Sequence, residues 1–595
     1  MTAEALTPPE ATRPANEQTM TLDDGTSLFY RYWEPTAARA DASARAVLLV
    51  HRGHEHSGRF LDVIDKLGLD DCWLFAWDAR GHGRNDGPRG YAEGVGQLAA
   101  DLDQFARHVS TTYDIPPENF AAVAHSIGAV VLATWVHDYA PPLRAMALVA
   151  PAFRVKLYVP AAIPGLRMLH KLRPQANVTS YVRPTMLTHD AQAAADYAAD
   201  PLISSSVSVQ LLLDLHDTST RLLDDASAIH TPTLLLTAGS DWVVRTRPQQ
   251  QFLQRLSADD KQLMEYPGMY HDLLHETCAA EACSAIGQFL QRHFDQPSPE
   301  PVLTDADQRG PSFERWQQCA ATLPALHPKS LYYNATRAVL GTIGQLSDGV
   351  RLGWQSGFNS GRTLDYVYEN RPRGTTPIGK MGDRAYLNSP GWSGIRVRRQ
   401  HMDQLLDAAI QQLAADSPDR PLHILDVAAG AGRYVMDAIE RHSEVEISAT
   451  LCDQDTAALD TGRAAAAQRG LTSVEFRQAD AFDEEQLAAT TPKPDVAIVS
   501  GLFELFASNE PIRHTLAGLA RAIQPGGYLI YTNQPWHPQQ ELIARALHGF
   551  DGKLWAMRCR STAEMDQLVA AAGFEKQQMR IDRWGIFTVS LAKAR

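Results

Sequence analysis

At 595 residues the chain is too long for one hydrophobic core and has room for two to four domains of roughly 100–200 residues each. Its 44% apolar and 21% charged content is ordinary for a globular protein, and a formal net charge of −14 argues against bulk binding of nucleic acid. Six cysteines, Cys72, Cys278, Cys283, Cys319, Cys452 and Cys559, lack paired C-x-x-C spacing, so a zinc site or disulfide frame is not expected and the thiols read as reduced.

Residues 1–18 carry Pro, Thr and acidic residues without an apolar signal-peptide core and read as a flexible start. No segment approaches the roughly 20 apolar residues of a membrane span, so the expected address is the cytoplasm. From Thr19 to Trp33 apolar and polar residues alternate on either side of Asp24-Gly25, a hairpin signal. Continuous apolar runs follow at Ala46 to Val50, Trp73 to Trp77, Phe120 to Ala124, Met146 to Val149 and Thr233 to Thr237, separated by segments of helix length. Runs of this kind are buried on both faces, so the pattern predicts a mostly parallel α/β sheet. The first two are followed by loops rich in Gly and His, His51 to Arg59 and Asp78 to Gly87. There a backbone N–H can face a reacting carbonyl, while His51, His54, His56 and His82 individually suit loop packing and turn bonding.

The third run meets His125-Ser126-Ile127-Gly128 and then Val130 to Trp135, a helix start. A Ser at the apex between strand and helix is a nucleophile elbow, whose strained turn lifts the hydroxyl toward a general base. Ala124 stands at the first Gly of the G-x-S-x-G pattern, and the pentapeptide alone also fits an ordinary strand-to-helix turn. The partners decide. Asp241 and His271 each occupy a loop directly after an apolar strand, giving the chain order Ser, Asp, His; Asp272, His275, Asp217 and Asp224 are rivals. In such a triad His271 takes the Ser126 proton, Asp241 fixes the imidazole, and the amides of Gly53 and Ile127 form an oxyanion hole. With these pieces in place, Thr19 to Phe294 resembles the monoacylglycerol lipase and lysophospholipase group of α/β-hydrolases. Two residues depart from that group beside the reacting atoms: Arg52 replaces a usual Gly, and Ala124 replaces the elbow Gly.

Residues 152 to 223 interrupt the strand rhythm as a cap over the active site would, within a hydrolase domain spanning 19–295. From Arg154 to Arg173 the cap mixes bases and apolar residues without an acid, suited to acyl chains and anionic headgroups or simply to a solvated lid. Residues 296–312, rich in Pro and acid, read as a linker. Residues 313–395 read as a connecting subdomain, helical at first and loop-like later, with Tyr332, Tyr333, Tyr366, Tyr368, Tyr386 and Trp392 closing a pocket or forming a small core.

A new rhythm begins at Leu422, where a strand ends in Asp426-Val-Ala-Ala-Gly430-Ala-Gly432, a Gly-rich turn that opens a helix and lets backbone approach a ligand. The third Gly of the dinucleotide fingerprint is missing. A second strand ends in Asp453 with Asp455 beyond it, a third in Asp480-Ala481, a fourth at Val499, and the chain closes with a strand pair. This order resembles a class I S-adenosylmethionine-dependent methyltransferase over residues 396–595, with an NAD-binding Rossmann domain as the competing reading. The resemblance implies that Asp426, Gly430 and Gly432 border the methionine part of S-adenosyl-L-methionine, Asp453 holds the ribose hydroxyls, and Asp480 with Ala481 meets adenine. Ser500-Gly-Leu-Phe503 differs from the Asn-Pro-Pro-Tyr loop of nucleic-acid amino methyltransferases. His537, and after it Glu504, are the candidates for the methyl-acceptor site. The whole chain resembles bacterial fusions of an α/β-hydrolase with a class I methyltransferase, which implies small-molecule or lipid substrates, no nucleic acid and no metal. A non-catalytic S-adenosylmethionine sensor controlling the hydrolase is the alternative for the second half.

Overall fold

The structure, a computed structural model, describes residues 13–37, 43–418 and 420–595; residues 1–12 of the expected flexible start lie outside them. It divides into two compact units, Met1–Pro301 and Val302–Arg595.

In the first unit the alternating stretch forms an antiparallel hairpin of β1 (Asn16–Thr21) and β2 (Ser27–Trp33). The apolar runs become β3 (Ala46–Val50), β4 (Trp73–Trp77), β5 (Phe120–His125) and β6 (Met146–Val149). A cap follows: helices Ala162–Leu172, Ala191–Ala199 and Val209–Asp224, with the short pair β7 (Asn177–Thr179) and β8 (Ser206–Ser208). The chain then returns to the sheet with β9 (Thr233–Ala238) and β10 (Lys261–Tyr266). The sheet order is β1-β2-β4-β3-β5-β6-β9-β10, parallel from β4 onward. Every residue of β3, β5, β6 and β9 is buried, which is why these strands read as unbroken apolar runs.

The second unit has the sheet order β13-β12-β11-β14-β15-β17-β16. Its members are β11 (Leu422–Val427), β12 (Ile447–Asp453), β13 (Val474–Gln478), β14 (Val496–Val499), β15 (Tyr528–Asn533), β16 (Phe574–Ile581) and β17 (Thr588–Ala594). Only β17 runs antiparallel to its neighbours. Order reverses between β11 and β14, and the crevice beyond the carboxyl ends of strands at such a reversal is where open α/β sheets bind ligands. One core packs Leu425, Val499, Leu516 and Tyr531, and another packs Ile424, Ile498, Ile530 and the helix Pro390–Asp416 through Leu405, Leu406 and Ile410.

One expectation is corrected here. The later part of residues 313–402 is not loop-like: it forms helices Gly361–Glu369, Pro377–Leu387 and Pro390–Asp416. The loop signals are their caps. Ser360 and Thr376 accept first-turn amides, Pro377 and Pro390 sit in first turns, and Asn370 ends its helix at φ 48°. The proline-rich linker is also anchored at its second end. Asp307 accepts the Asn509 amide at 2.7 Å, and Leu303 donates to Gln567 at 2.8 Å.

In the first unit the helix Ala279–Asp295 packs so closely on the helix Ile64–Leu67 that a Cβ on Gly287 would stand 1.8 Å from the Leu67 carbonyl oxygen. Gly287→Ala is therefore expected to destabilise this unit by roughly 1–3 kcal/mol, the usual cost of overpacking, as read from the urea midpoint of circular dichroism.

Candidate active sites

In the first unit β5 delivers Ser126 at φ 56° and ψ −114°, the strained turn expected of an elbow, and the helix Ile127–Tyr139 leaves at once. The Ser126 amide donates to Val149 on β6, and its carbonyl accepts from Ala152, which pins the turn on both sides. Gly128 is needed because a Cβ there would lie 2.3 Å from the His51 carbonyl oxygen and 2.8 Å from that of Val50. Ala124, by contrast, sits fully buried between Val50 and Leu148 in the sheet, so its methyl is absorbed by ordinary packing.

The loops after β9 and β10 bring Asp241 and His271 to this turn. Ser126 Oγ donates to His271 Nε2 at 2.8 Å, and His271 Nδ1 donates to Asp241 Oδ2 at 2.7 Å. All three side chains are buried. Asp241 Oδ1 also accepts the amides of Val243 and Val244, at 2.6 and 2.9 Å. Burial pushes the Asp241 carboxyl up, but His271 and these amides outweigh it and hold it below the ordinary carboxylate range. The rivals are engaged elsewhere. Asp272 lies 2.9 Å from His275 Nδ1 and 3.4 Å from Arg52, while Asp217 pairs with Arg167.

The loop after β3 passes Gly53 beside Ile127, close enough that a Cβ on Gly53 would meet the Ile127 side chain at 2.6 Å. An apolar cavity of about 30 Å³ opens beside both residues, walled by Trp77, Val131 and Leu211. The Arg52 guanidinium is held by Glu55 at 2.9 Å and stacked on Tyr197 of the cap at 4.8 Å. The histidines of the two loops are framework groups. His51 accepts the Ala79 amide and donates to the Arg52 carbonyl, His82 contacts the Arg80 carbonyl, and His56 Nε2 meets Asp200 of the cap at 2.9 Å. The backbone carbonyl of His54 accepts from Ser204.

In the second unit the Gly-rich turn after β11 carries Gly430 at φ 58° and Gly432 at φ 67°. A Cβ on Gly432 would strike Leu451 at 2.1 Å, whereas Gly430 has open space on that side. Asp453, at the end of β12, accepts the Gly430 amide on one oxygen and the Asp455 amide on the other, both at 2.8 Å. A carboxylate has about four lone-pair sites, so two remain for further donors. Asp455 instead caps the helix Thr456–Arg469, accepting the amides of Ala457 and Ala458. Asp480 is exposed and accepts the Phe482 amide, with Ala481 buried beside it.

Asp426 is fully buried, with one oxygen accepting from Tyr434 at 2.7 Å and Oδ2 without a partner. Burial pushes its carboxyl up to about 8. Facing this end of the sheet is Arg398, the residue missed in the sequence. It is buried, lies 3.4 Å from Glu504 and rests 5.1 Å over the Phe587 ring. Burial lowers its affinity for the proton, but Tyr368 and Glu504 more than offset this, so the guanidinium stays charged. Its signal was a cation inside the apolar stripe Trp392, Ile395, Met402 and Leu405 of one helix. Glu504 is buried with Oε2 unpartnered. His537 is buried in the loop after β15, beside an apolar cavity of about 170 Å³. Among the described residues, no group of three or more His, Cys, Asp or Glu is arranged to hold a metal ion.

Residues 286–594 match the family described as "Putative methyltransferase", and residues 41–278 match "Serine aminopeptidase, S33". The Escherichia coli K12 protein named "Uncharacterized protein YnbC" is 45% identical over 588 residues, covering 98% of this chain and 100% of that protein. A monoacylglycerol lipase of Mycolicibacterium smegmatis is 24% identical over 42% of this chain and 88% of its own length. The crystal structure of Paleococcus ferrophilus monoacylglycerol lipase matches 42% of this chain and 96% of that one, at 24% identity and a TM-score of 0.39.

The raised pKa of Asp426 has a definite sign for stability. Without ligand its contribution is greatest below the unfolded value of roughly 4 and is lost as pH rises through about 8. The Asp426→Asn protein is therefore expected to lose less stability than the parent between pH 5 and pH 8.5, measured by urea unfolding of the second unit; an equal slope in both would count against it.

Proposed function

We propose, for a chain that belongs to the family described as "Putative methyltransferase" and to the family of the E. coli protein YnbC, that it is bifunctional: a serine ester hydrolase joined to an S-adenosylmethionine-dependent methyltransferase. The chain joins a hydrolase domain resembling monoglyceride lipase to a methyltransferase-family domain. The ester is a glycerolipid or lysophospholipid-like molecule, and the methyl acceptor is a small molecule or a lipid headgroup. The domain limits proposed from sequence are 19–295 for the hydrolase, with its cap at about 152–223, and 396–595 for the methyltransferase.

The observation that carries the first activity is the buried chain from Ser126 through His271 to Asp241, at 2.8 and 2.7 Å. His271 removes the proton as Ser126 Oγ attacks the ester carbonyl, and Asp241 stabilises the imidazolium that forms. The amides of Gly53 and Ile127 receive the oxyanion. His271 then protonates the leaving alcohol, and water releases the acyl group by the same route in reverse. Between Arg154 and Arg183 the cap and its approach carry six Lys or Arg and no Asp or Glu, in a chain of net charge −14. Met168 and Leu172 of the helix Ala162–Leu172 are exposed, as are Tyr158 and Val159 before it. These features support peripheral contact with an anionic lipid surface. The proposed location is the cytoplasm, at the inner membrane face, in keeping with six free cysteines.

For the second activity, the residues present fit the cofactor. The partnerless Oδ2 of Asp426 suits its ammonium group, Arg398 its carboxylate, and the two open acceptor positions of Asp453 its ribose hydroxyls. When bound, the cofactor supplies an electrophilic methyl group. The protein's part is to align the acceptor and exclude water. The sensor alternative draws on one observation: His537 Nδ1 already accepts the Gln539 amide, and Glu504 is tied through Oε1 to Arg398, which leaves only its Oε2 open.

Ser126→Ala is expected to lower hydrolysis of a panel of short acyl esters by roughly 10⁴-fold or more while leaving S-adenosylhomocysteine binding intact; retained hydrolysis overturns the triad. Asp453→Ala removes charge-assisted hydrogen bonds of about 1.5–3 kcal/mol each at most, so calorimetry should show S-adenosylhomocysteine binding weakened by roughly tenfold or more. Asp455→Ala, which removes only a helix cap, should leave that affinity nearly unchanged.

A further inference from the structure

The cavity of about 170 Å³ at the end of β15 is walled almost wholly by apolar side chains, among them Val350, Phe358, Trp392, Ile395, Leu542 and Phe587. It adjoins the group assigned above to the cofactor. Phe587 forms its wall and also carries Arg398 on its ring, and Ile395 precedes Arg398 by three residues, about 4.5 Å along the same helix. The carboxyl end of β15 is tied to the loop after β14, since the Gly501 amide donates to the Thr532 hydroxyl at 2.8 Å.

His537 is the polar group at its edge that bears on chemistry. Its Nδ1 accepts the Gln539 amide at 3.0 Å, so the neutral ring carries its proton on Nε2. Burial keeps it neutral by pushing its pKa down to about 4. No acceptor among the described residues takes the Nε2–H in a hydrogen bond. Gly391 leaves the space in front of it clear, because a Cβ there would stand 2.8 Å from Nε2. His537 is thus a donor whose basic lone pair is occupied. Tyr386, the other titratable group on the wall, is held protonated by burial. An apolar molecule bound here meets no base, so its nucleophile must arrive deprotonated at neutral pH. Alcohols and phenols do not satisfy this, and an ammonium group would bring a second cation toward Arg398.

We propose that the methyl acceptor is a carboxylic acid with an apolar body, its chain in this cavity and its carboxylate hydrogen-bonded to His537. This rests on the methyltransferase reading above. A carboxylate oxygen attacks the methyl carbon, the carbon–sulfur bond breaks with its electron pair going to sulfur, and a methyl ester and S-adenosylhomocysteine leave. No proton is transferred, and the negative carboxylate and positive sulfonium become two neutral groups. Carboxylic acids with apolar bodies are also what an ester hydrolase releases from lipid esters, so the first reaction yields the class of molecule the second consumes.

The test uses the full-length chain carrying Ser126→Ala, so that an ester product is not hydrolysed. Calorimetry with S-adenosylhomocysteine comes first, then decanoate, decanol and decylamine are titrated with S-adenosylhomocysteine present. Transfer from methyl-labelled S-adenosylmethionine to the same three compounds, and to acids from hexanoate to palmitate, is followed in parallel. Decanoate is expected to bind and to yield a labelled ester that alkali converts to methanol, with decanol and decylamine inert. Adding His537→Leu, which removes the donor, should raise KM for decanoate by about tenfold or more and leave S-adenosylhomocysteine affinity unchanged, with His537→Gln, which keeps an N–H donor, restoring part of the loss. Label on decanol or decylamine in preference to decanoate overturns the proposal, as does S-adenosylhomocysteine binding with no acid in the series labelled. Failure of S-adenosylhomocysteine to bind overturns the underlying reading, and this proposal with it.

Discussion

A parallel sheet buried on both faces leaves little room for polar chemistry except at the ends of its strands. In both units the central strands are apolar along most of their length, and the polar residues of interest lie beyond the last strand residue or end the strand itself. Ser126 follows β5, Asp241 and His271 lie beyond β9 and β10, and Asp453 ends β12. All project from the carboxyl edge. Local sequence therefore decides which residue stands at each strand end, while the sheet order decides which strand ends meet.

Close approach at those ends sets tight tolerances. The Ser126 turn works only because Gly128 lets the helix start within contact of the His51 and Val50 carbonyls, so the loop that carries Gly53 and the helix that begins with Ile127 are placed by one contact. The two departures from the lipase pattern fall outside it. The Ala124 methyl is buried in the sheet, and Arg52 is drawn into a charge cluster with Glu55 and Asp272. Because Arg52 also stacks on Tyr197, and His56 bonds Asp200, the residue that replaces a glycine has become part of the tie between oxyanion loop and cap.

What could be read in the sequence follows from these constraints. The central strands were legible because double-sided burial writes continuous apolar runs, and Ser126 and Asp241 were legible because each comes just after one; His271 instead follows the polar edge strand β10 and was legible from the chain order Ser, Asp, His. The helices from Gly361 to Asp416 were not, since their caps are Ser, Thr, Pro and Asn, the residues that also make loops. Arg398 was hidden for a different reason. A single cation in an apolar helical stripe normally reads as a surface interruption, and only the fold turns that face toward Tyr368, Tyr434 and Glu504. His537 was found by its place in a loop, but its tautomer depends on a hydrogen bond to an amide two residues on, which composition does not reveal.

The two sites also differ in how their polar groups are satisfied, and this bears on how each meets a ligand. In the first unit the Ser126, His271 and Asp241 atoms satisfy one another and nearby amides, so the group is held in one arrangement without a ligand. In the second, Asp426 Oδ2 and Glu504 Oε2 are buried without partners. An acid in that position is held neutral by burial until a cation comes beside it, so binding of a charged ligand and ionisation of Asp426 are one coupled event. The first group of polar atoms is satisfied within the chain alone, whereas the second keeps buried acceptors open.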